Sequence, residues 1–307
     1  MSDYRIITDS TGDLSQEMAD EADVDVIPMD FTLGSDSYRD YPDEHEISSK
    51  EFYSRLAAGE LSTTNQITTA RFKEAFEPYL SAGKDVLYLG FSSGLSATYN
   101  NSILAAKELA SKYPERKIAT VDTLAASVGE GLIAWLAGRK KKQGASFDEV
   151  KDWVEQNRLR VHHWFTVDNL MYLRRFKVED LDHLRRGGRI SGTVAMMGTM
   201  LGVKPVMHVD DAGHLILVEK VRGRRQSLDR LIDHMALTEE DAAEQTVFIG
   251  HSEYLEGAEY VKEQIAKRFG VKDFRIACIG PVIGAHMGAG SLDFFYLGKD
   301  RDFGLKT

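Results

Sequence analysis

The chain has 307 residues, of which 43% are hydrophobic and 28% are charged, as in an ordinary soluble globular protein. Its formal net charge of −10 excludes a general attraction to nucleic acid or anionic lipid, so a site for an acidic partner must be a local basic patch. The single cysteine, Cys278, excludes an internal disulfide and a cysteine-based metal cluster, and it fits a reducing cytoplasm.

The first half of the chain alternates strand and helix patterns. Buried strands are predicted at residues 4–8, 24–31, 86–91 and 117–121, with helices between them and further helices at 124–142 and 146–158. This alternation predicts a parallel sheet with helices on both faces, which is a three-layer α/β/α domain over residues 1–160. The chain length favours a second domain over residues 161–307.

Four polar loops fall at the carboxyl ends of the predicted parallel strands, where open α/β sheets bind ligands. These loops are Asp9–Thr11, Thr63–Gln66, Ser92–Gly94 and Asp122–Thr123. None of them carries a Walker A lysine or a G-x-G-x-x-G pattern, so no nucleotide phosphate site is predicted in this half. Their hydroxyls and backbone N–H groups suit a carboxylate or a phosphate, and ordinary helix starts are the alternative.

The second half predicts an α/β domain with a mixed sheet. Strands at 203–209 and 214–219 flank a hairpin turn, and strands at 246–250, 274–279 and 294–297 alternate with helices at 227–236 and 255–269. Gly280–Gly290 contains four glycines and His286. This stretch is predicted to be either a tight buried turn or a glycine-rich loop that holds His286 against a ligand.

The sequence Gly90-Phe91-Ser92-Ser93-Gly94 matches the G-x-S-x-G pattern between a strand and a helix. A hydrolase nucleophile elbow requires that context, and His286 follows in the order expected of a triad. No H-G-G-G-like oxyanion loop accompanies the pattern. The motif therefore leaves three interpretations: a serine-capped helix start, a polar ligand-binding loop, or a serine hydrolase that uses Ser92 and His286.

Two basic clusters, at residues 184–191 and 220–225, stand out in an acidic chain. They are either solvated helix ends or a docking surface for an acidic protein or phosphate, and the lack of interleaved aromatic residues argues against nucleic acid. The methionine-rich stretch 192–203 is either core or an adaptable wall for an apolar ligand. A repeat with an 11-residue offset within 167–186 predicts an extended helical segment of open function, and no metal site is predicted.

Taken together, the motifs resemble those of the DegV family, the bacterial fatty-acid-binding proteins whose studied members are called FakB. The resemblance rests on Ile7–Thr11, Thr63–Gln66, Ser92–Ser96, Gly187–Ser191, Lys204–Val206 and Gly280–His286, in the order of the family. It implies a two-domain protein with a long-chain fatty acid between the domains. It also implies that the protein is not itself an enzyme. A separate ATP-dependent fatty acid kinase would convert the bound acid to an acyl phosphate for phospholipid synthesis.

Carried over by position, the resemblance implies that the fatty-acid carboxylate contacts Thr64, the Ser92–Ser93 loop (Ser93 above all) and His286. The supporting residues would be Asp9, Ser10, Asn65, Gly94 and Gly284. Arg189 and Arg222 stand where basic residues that dock the kinase are expected. The implied ligand is the fatty acid alone, without a cofactor or a metal. We expect a cytoplasmic protein that makes at most transient contact with a membrane surface.

Overall fold

A computed structural model describes residues 3–168 and 202–301 of the chain. The first half contains strands β1 (Tyr4–Asp9), β2 (Val24–Ile27), β3 (Asp30–Leu33), β4 (Asp36–Arg39), β5 (Ser62–Thr64), β6 (Asp85–Gly90) and β7 (Ile118–Asp122). Its helices are α1 (Gln16–Ala22), α2 (Ser49–Ala57), α3 (Thr69–Ser81), α4 (Thr98–Lys112), α5 (Val128–Lys142) and α6 (Phe147–Asn157).

The described part of the second half contains strands β8 (Val161–Thr166), β9 (Val203–Val209), β10 (Leu215–Arg222), β11 (Thr246–His251), β12 (Asp273–Cys278) and β13 (Leu292–Leu297). Helices α7 (Arg224–Thr238), α8 (Leu255–Phe269) and α9 (Pro281–Met287) lie between these strands. Most of the methionine-rich stretch, most of the repeat and Arg189 lie outside the described residues.

The first half is built on a parallel sheet with the strand order β2-β1-β6-β7. Its strands are apolar on both faces, as Leu87 and Leu89 pack with α1 and α5 while Val86 and Tyr88 pack with α3 and α4. The second half is built on a mixed sheet with the order β10-β9-β8-β13-β11-β12. The predicted fold class, a three-layer parallel domain followed by a mixed-sheet domain, is confirmed.

The prediction of one strand over residues 24–31 is wrong. Pro28 lies between β2 and β3, and since proline has no N–H to donate to a ladder, it favours a break at this position. After the break, β3 pairs with β4 and β5 in a small antiparallel sheet of three strands. This small sheet carries Thr64, the last residue of β5, which pairs with Phe31.

Helix α5 lies between the parallel sheet and the mixed sheet. Its side chains are apolar around most of the helix surface, and residues 128–135 are all buried, which is the pattern of a helix enclosed by protein. Trp135 packs on Phe248 of β11 with ring centroids 5.6 Å apart, and Leu132 belongs to a core that also includes Leu87 of β6. The two halves of the chain therefore share one hydrophobic core through α5.

Candidate functional site

A cavity of about 290 Å³ lies between the two halves of the chain. Its apolar wall includes Phe91, Phe165, Met207, Ile283 and Met287, which pack together as one hydrophobic cluster. Phe91 belongs to the half with the parallel sheet, and the other four residues belong to the half with the mixed sheet. The cavity is thus an apolar slot whose two sides belong to different sheets.

The mouth of the cavity is polar. Thr64, Asn65, Gln66, Ser96 and His286 line it, and Asn65 and Gln66 are exposed to solvent. Thr64 and His286 are half-buried, and Oγ1 of Thr64 lies 3.0 Å from Nε2 of His286. Two of the residues assigned by resemblance to the fatty-acid carboxylate are therefore in contact at the opening of an apolar cavity.

His286 reaches this position because the glycine-rich stretch is a helix. The prediction of a loop or turn over residues 280–290 is wrong, since Pro281–Met287 form α9 with proline in the first turn. Gly284 has no room for a side chain, because a Cβ atom there would lie 2.4 Å from Oη of Tyr53. Glycine at 284 therefore lets α9 pack directly against α2, and this contact places His286 next to Thr64.

Side chains of the first half hold the start of α9. The backbone N–H of Gly280 donates to Oδ1 of Asp13 at 2.8 Å, and the hydroxyl of Tyr53 donates to the carbonyl of Ile279 at 2.8 Å. Asp40 accepts a hydrogen bond from the backbone of Val282. Burial raises the pKa of Asp40 to about 7 and raises that of Asp13 well above its ordinary value.

Ser92 and Ser93 are placed differently from Thr64 and His286. Ser92 is fully buried, and its hydroxyl donates to the carbonyl of Gly213 at 2.9 Å in the turn between β9 and β10. Ser93 is exposed, and its backbone N–H donates to Oδ1 of Asp122 at 3.2 Å. Neither serine is among the residues that line the cavity, where Ser96 stands instead. This geometry favours a loop-anchoring role for Ser92 over a nucleophile.

Three other residues predicted to support the site, Gly94, Asp9 and Ser10, contact residues around the cavity and do not line it themselves. A Cβ atom on Gly94 would lie 2.6 Å from the carbonyl oxygen of Ala212, so this glycine permits close contact with the same turn. Asp9 accepts hydrogen bonds from Tyr88 and Thr11, and Oγ of Ser10 accepts the backbone N–H of Met29 at 3.1 Å. Thr11 and Met29 line the cavity, so Asp9 and Ser10 hold its wall.

Sequence reasoning missed a group of buried acids beneath the cavity. Oγ1 of Thr8 lies 2.8 Å from the carbonyl of Leu89 and 2.8 Å from Oε1 of Glu130. The hydroxyl of Thr8 has a single proton for these two acceptors, which favours a neutral Glu130. Burial accordingly raises the pKa of Glu130 well above its ordinary value. The available signal in the sequence was an acid within the otherwise apolar residues 128–138 of α5.

The adjacent histidines His162 and His163 are buried with His208 and Arg301. Nε2 of His163 accepts from the guanidinium of Arg301 at 3.0 Å, and Nδ1 of His162 lies 3.1 Å from Nε2 of His208. Burial lowers the pKa of His162 to about 4, so the ring is neutral at physiological pH. Across residues 3–168 and 202–301, no group of acidic, histidine or cysteine side chains has an arrangement suited to a metal ion.

Of the two basic clusters, only the one at 220–225 is within the described residues. Lys220, Arg222 and Arg225 are exposed there, at the end of β10 and the start of α7. Lys220 and Arg222 are two residues apart on β10, so their side chains lie on the same face of the strand. Arg225 lies 4.0 Å from a carboxylate oxygen of Asp229. No helix of the described ranges is both long enough and apolar enough to cross a bilayer.

Comparisons with known proteins agree with this architecture. The model of the DegV family, described as uncharacterised, matches residues 3–176 and 175–299. A DegV domain-containing protein of Clostridium perfringens is 42% identical over 302 residues, which cover 98% of this chain and 100% of that relative. One from Streptococcus pyogenes is 33% identical over 297 residues, which cover 97% and 99%.

Solved structures agree as well. A DegV lipid-binding protein from Thermotoga maritima has a TM-score of 0.82 at 28% identity, covering 98% of this chain and 100% of its own. A DegV family protein from Thermus thermophilus, solved in a study of its fatty acid binding, has a TM-score of 0.81 at 28% identity, covering 97% and 100%. Because the family model matches both halves of the chain, this chain is a member of the DegV family.

Proposed function

We propose that the protein binds a long-chain fatty acid between the domains 1–160 and 161–307 and presents its carboxylate to a separate ATP-dependent fatty acid kinase. In this proposal the protein is a non-enzymatic cytoplasmic carrier that needs no cofactor. The observation that carries it is the apolar cavity between the two halves, with Thr64 and His286 in contact at its mouth. The lipid and fatty acid binding of the solved DegV proteins supports the same ligand class.

The tail and the head group have different roles in this proposal. About fifteen buried carbons at ~0.8 kcal/mol each give a gross gain of roughly 12 kcal/mol, whereas a hydrogen bond to a charged group contributes only about 1.5–3 kcal/mol. The tail therefore supplies affinity. The hydroxyl of Thr64 and a ring N–H of His286 position the carboxylate at the mouth. Ser93 does not line the cavity, so its proposed contact requires the carboxylate to extend out of the mouth.

Release of a fatty acid from the purified protein, measured by mass spectrometry after denaturation, tests the ligand class. Binding of palmitate to delipidated protein then tests the head-group site. Thr64→Ala and His286→Ala are each expected to weaken palmitate binding about tenfold, because each removes one hydrogen bond to a charged acceptor. Calorimetric titration measures this effect.

Thr63→Ala is the matched control for Thr64. Thr63 is the preceding residue of β5, and its hydroxyl bonds the hydroxyl of Thr32 at 2.7 Å on the exposed side of the small sheet. Palmitate affinity should be unchanged in this variant. A protein that carries no fatty acid and also takes up none would refute the carrier function.

The exposed cations Lys220 and Arg222 support the proposed docking of a kinase. Arg222→Glu is expected to reduce acyl-phosphate formation by a fatty acid kinase from the same organism at least tenfold, because the reversed charge repels an acidic docking surface. Palmitate affinity should stay at the wild-type value, which separates docking from ligand binding. Lys267→Glu, at an exposed position in the last turn of α8, is the control. Equal acyl-phosphate formation by Arg222→Glu and wild type would contradict the docking role.

A further inference from the structure

Helix α9 has no capping side chain of its own. The residue before the helix is Gly280, and glycine offers no side-chain oxygen to the backbone N–H groups of the first turn. Two carboxylates of the first half accept these hydrogen bonds instead. Oδ1 of Asp13 accepts the N–H of Gly280 at 2.8 Å, and Asp40 accepts the N–H of Val282. The start of α9 is therefore capped by residues from the other half of the chain.

Gly280 leaves room for these two acceptors. A Cβ atom at residue 280 would lie 3.0 Å from Oδ1 of Asp13 and 3.1 Å from Oδ2 of Asp40. A residue that carried its own capping group at this position would therefore crowd both carboxylates. The second half of the chain supplies the helix, and the first half supplies its cap.

Asp13 is held in place by a second residue of the first half. The hydroxyl of Ser127 donates to Oδ2 of Asp13 at 2.6 Å, while Oδ1 accepts the N–H of Gly280. Asp13 and Ser127 have φ angles of 48° and 54°, which residues other than glycine seldom adopt. Such backbone conformations concentrate at functional sites, where the surrounding structure maintains them. The two strained residues together fix the cap of α9.

The cap is connected to the mouth of the cavity through α9 itself. His286 lies six residues after Gly280, on the same short helix, so a displacement of the helix start also moves the imidazole. Hydrogen bonds depend closely on distance and angle, and Nε2 of His286 lies 3.0 Å from Oγ1 of Thr64. The hydroxyl of Tyr53, which donates to the carbonyl of Ile279 at 2.8 Å, holds the same end of the helix.

We propose that Asp13, supported by Tyr53, is a positioning residue for His286 and fixes the imidazole where its ring N–H meets the fatty-acid carboxylate. The inference rests on the proposed fatty acid function and deepens it. Asp13 and Tyr53 are not among the residues that line the cavity. Their effect on affinity therefore passes through α9 and should disappear when His286 is removed.

A double-mutant cycle tests this route. Palmitate is titrated calorimetrically into delipidated wild type, Asp13→Gly, His286→Ala and the variant that combines both changes. The glycine substitution removes the carboxylate and tolerates the φ of 48°. We expect Asp13→Gly to weaken palmitate binding by up to about tenfold, as His286→Ala does. In the His286→Ala background Asp13→Gly should have no further effect, because the two residues act on the same contact.

The conservative variant and a matched control separate this role from a general loss of structure. Burial raises the pKa of Asp13 well above its ordinary value, so the neutral amide of Asp13→Asn is a close replacement. Asp13→Asn keeps an acceptor for Gly280 and should retain most of the palmitate affinity. Asp241→Gly is the control, since Asp241 is exposed, has a φ of 50° and does not line the cavity. Its palmitate affinity should equal that of wild type.

Tyr53→Phe decides the question if Asp13→Gly does not fold, because it removes only the hydroxyl that holds the same end of α9. It should weaken palmitate binding in wild type and have no effect in the His286→Ala background. Unchanged affinity in the deciding variant, or a loss that adds in full to that of His286→Ala, would overturn the positioning role and leave fatty acid binding intact. Failure of wild type to bind palmitate would overturn the carrier function and the inference together.

Discussion

Shortening the fatty acid by four methylene groups is expected to weaken binding about 200-fold, since each buried CH₂ contributes ~0.8 kcal/mol and ~1.4 kcal/mol is a factor of ten. The apolar wall formed by Phe91, Phe165, Met207 and Ile283 is the physical reason. This effect exceeds the tenfold loss expected for Thr64→Ala, because four buried methylene groups contribute more binding free energy than one hydrogen bond from a hydroxyl.

Titration of saturated acids of increasing length measures this dependence. Affinity should rise by a constant factor per carbon and then stop rising when the chain fills the cavity. The same series on Thr64→Ala should run parallel to the wild-type series, displaced to weaker binding. Affinities that do not change with chain length would show that the head group, and not the tail, holds the ligand.

A second large effect is expected from Asp40→Asn. The folded-state pKa of Asp40 is raised from 3.8 to about 7 by burial, so folding favours its protonated form. Its stabilising contribution is complete below about pH 4 and is lost as the pH rises to about 7. An amide cannot ionise. The unfolding free energy of Asp40→Asn minus that of wild type should therefore increase by up to about 4 kcal/mol between pH 4 and pH 8.

Urea denaturation of the delipidated proteins at several pH values measures this difference. The difference between variant and wild type is needed because His162 has the opposite effect on stability. Its pKa is lowered to about 4 in the folded protein, so the protein loses stability as the pH falls below the ordinary pKa of histidine. Asp20→Asn, at an exposed position on α1, is the comparison variant with the same change of side chain. A flat difference for Asp40→Asn would contradict the assignment of a raised pKa.

Local patterns were sufficient for most of the fold. The alternation of strand and helix patterns in the first half predicted its parallel sheet, and the apolar run around Leu87 marked one of the buried strands. Pro28 was equally visible as a chain break, but its consequence was not, because the pairing of β3 with β5 joins residues 31 and 64 and depends on long-range contacts. Gly284 misled prediction for a related reason, since glycine in a helix is justified only by the approach of Tyr53.

Part of the candidate site was predicted through the resemblance to the DegV family. Thr64 and His286, which the resemblance assigned to one site, are in contact. Ser92 has the same chemistry, yet its hydroxyl is taken by Gly213, a contact that no local pattern encodes. Ser127 and Asp293, which also line the cavity, were not predicted, because they come from different halves of the chain and meet only in the folded structure.

The placement of α5 restricts how a ligand can come and go. This helix packs on both sheets, and the contact of Trp135 with Phe248 is part of that packing. A hinge motion that separated the two halves would therefore expose the shared hydrophobic core to water. Exchange of a bound molecule without unfolding is therefore expected to leave the contacts of α5 with the two sheets in place. Among the described residues, α9 borders the slot through Ile283, His286 and Met287.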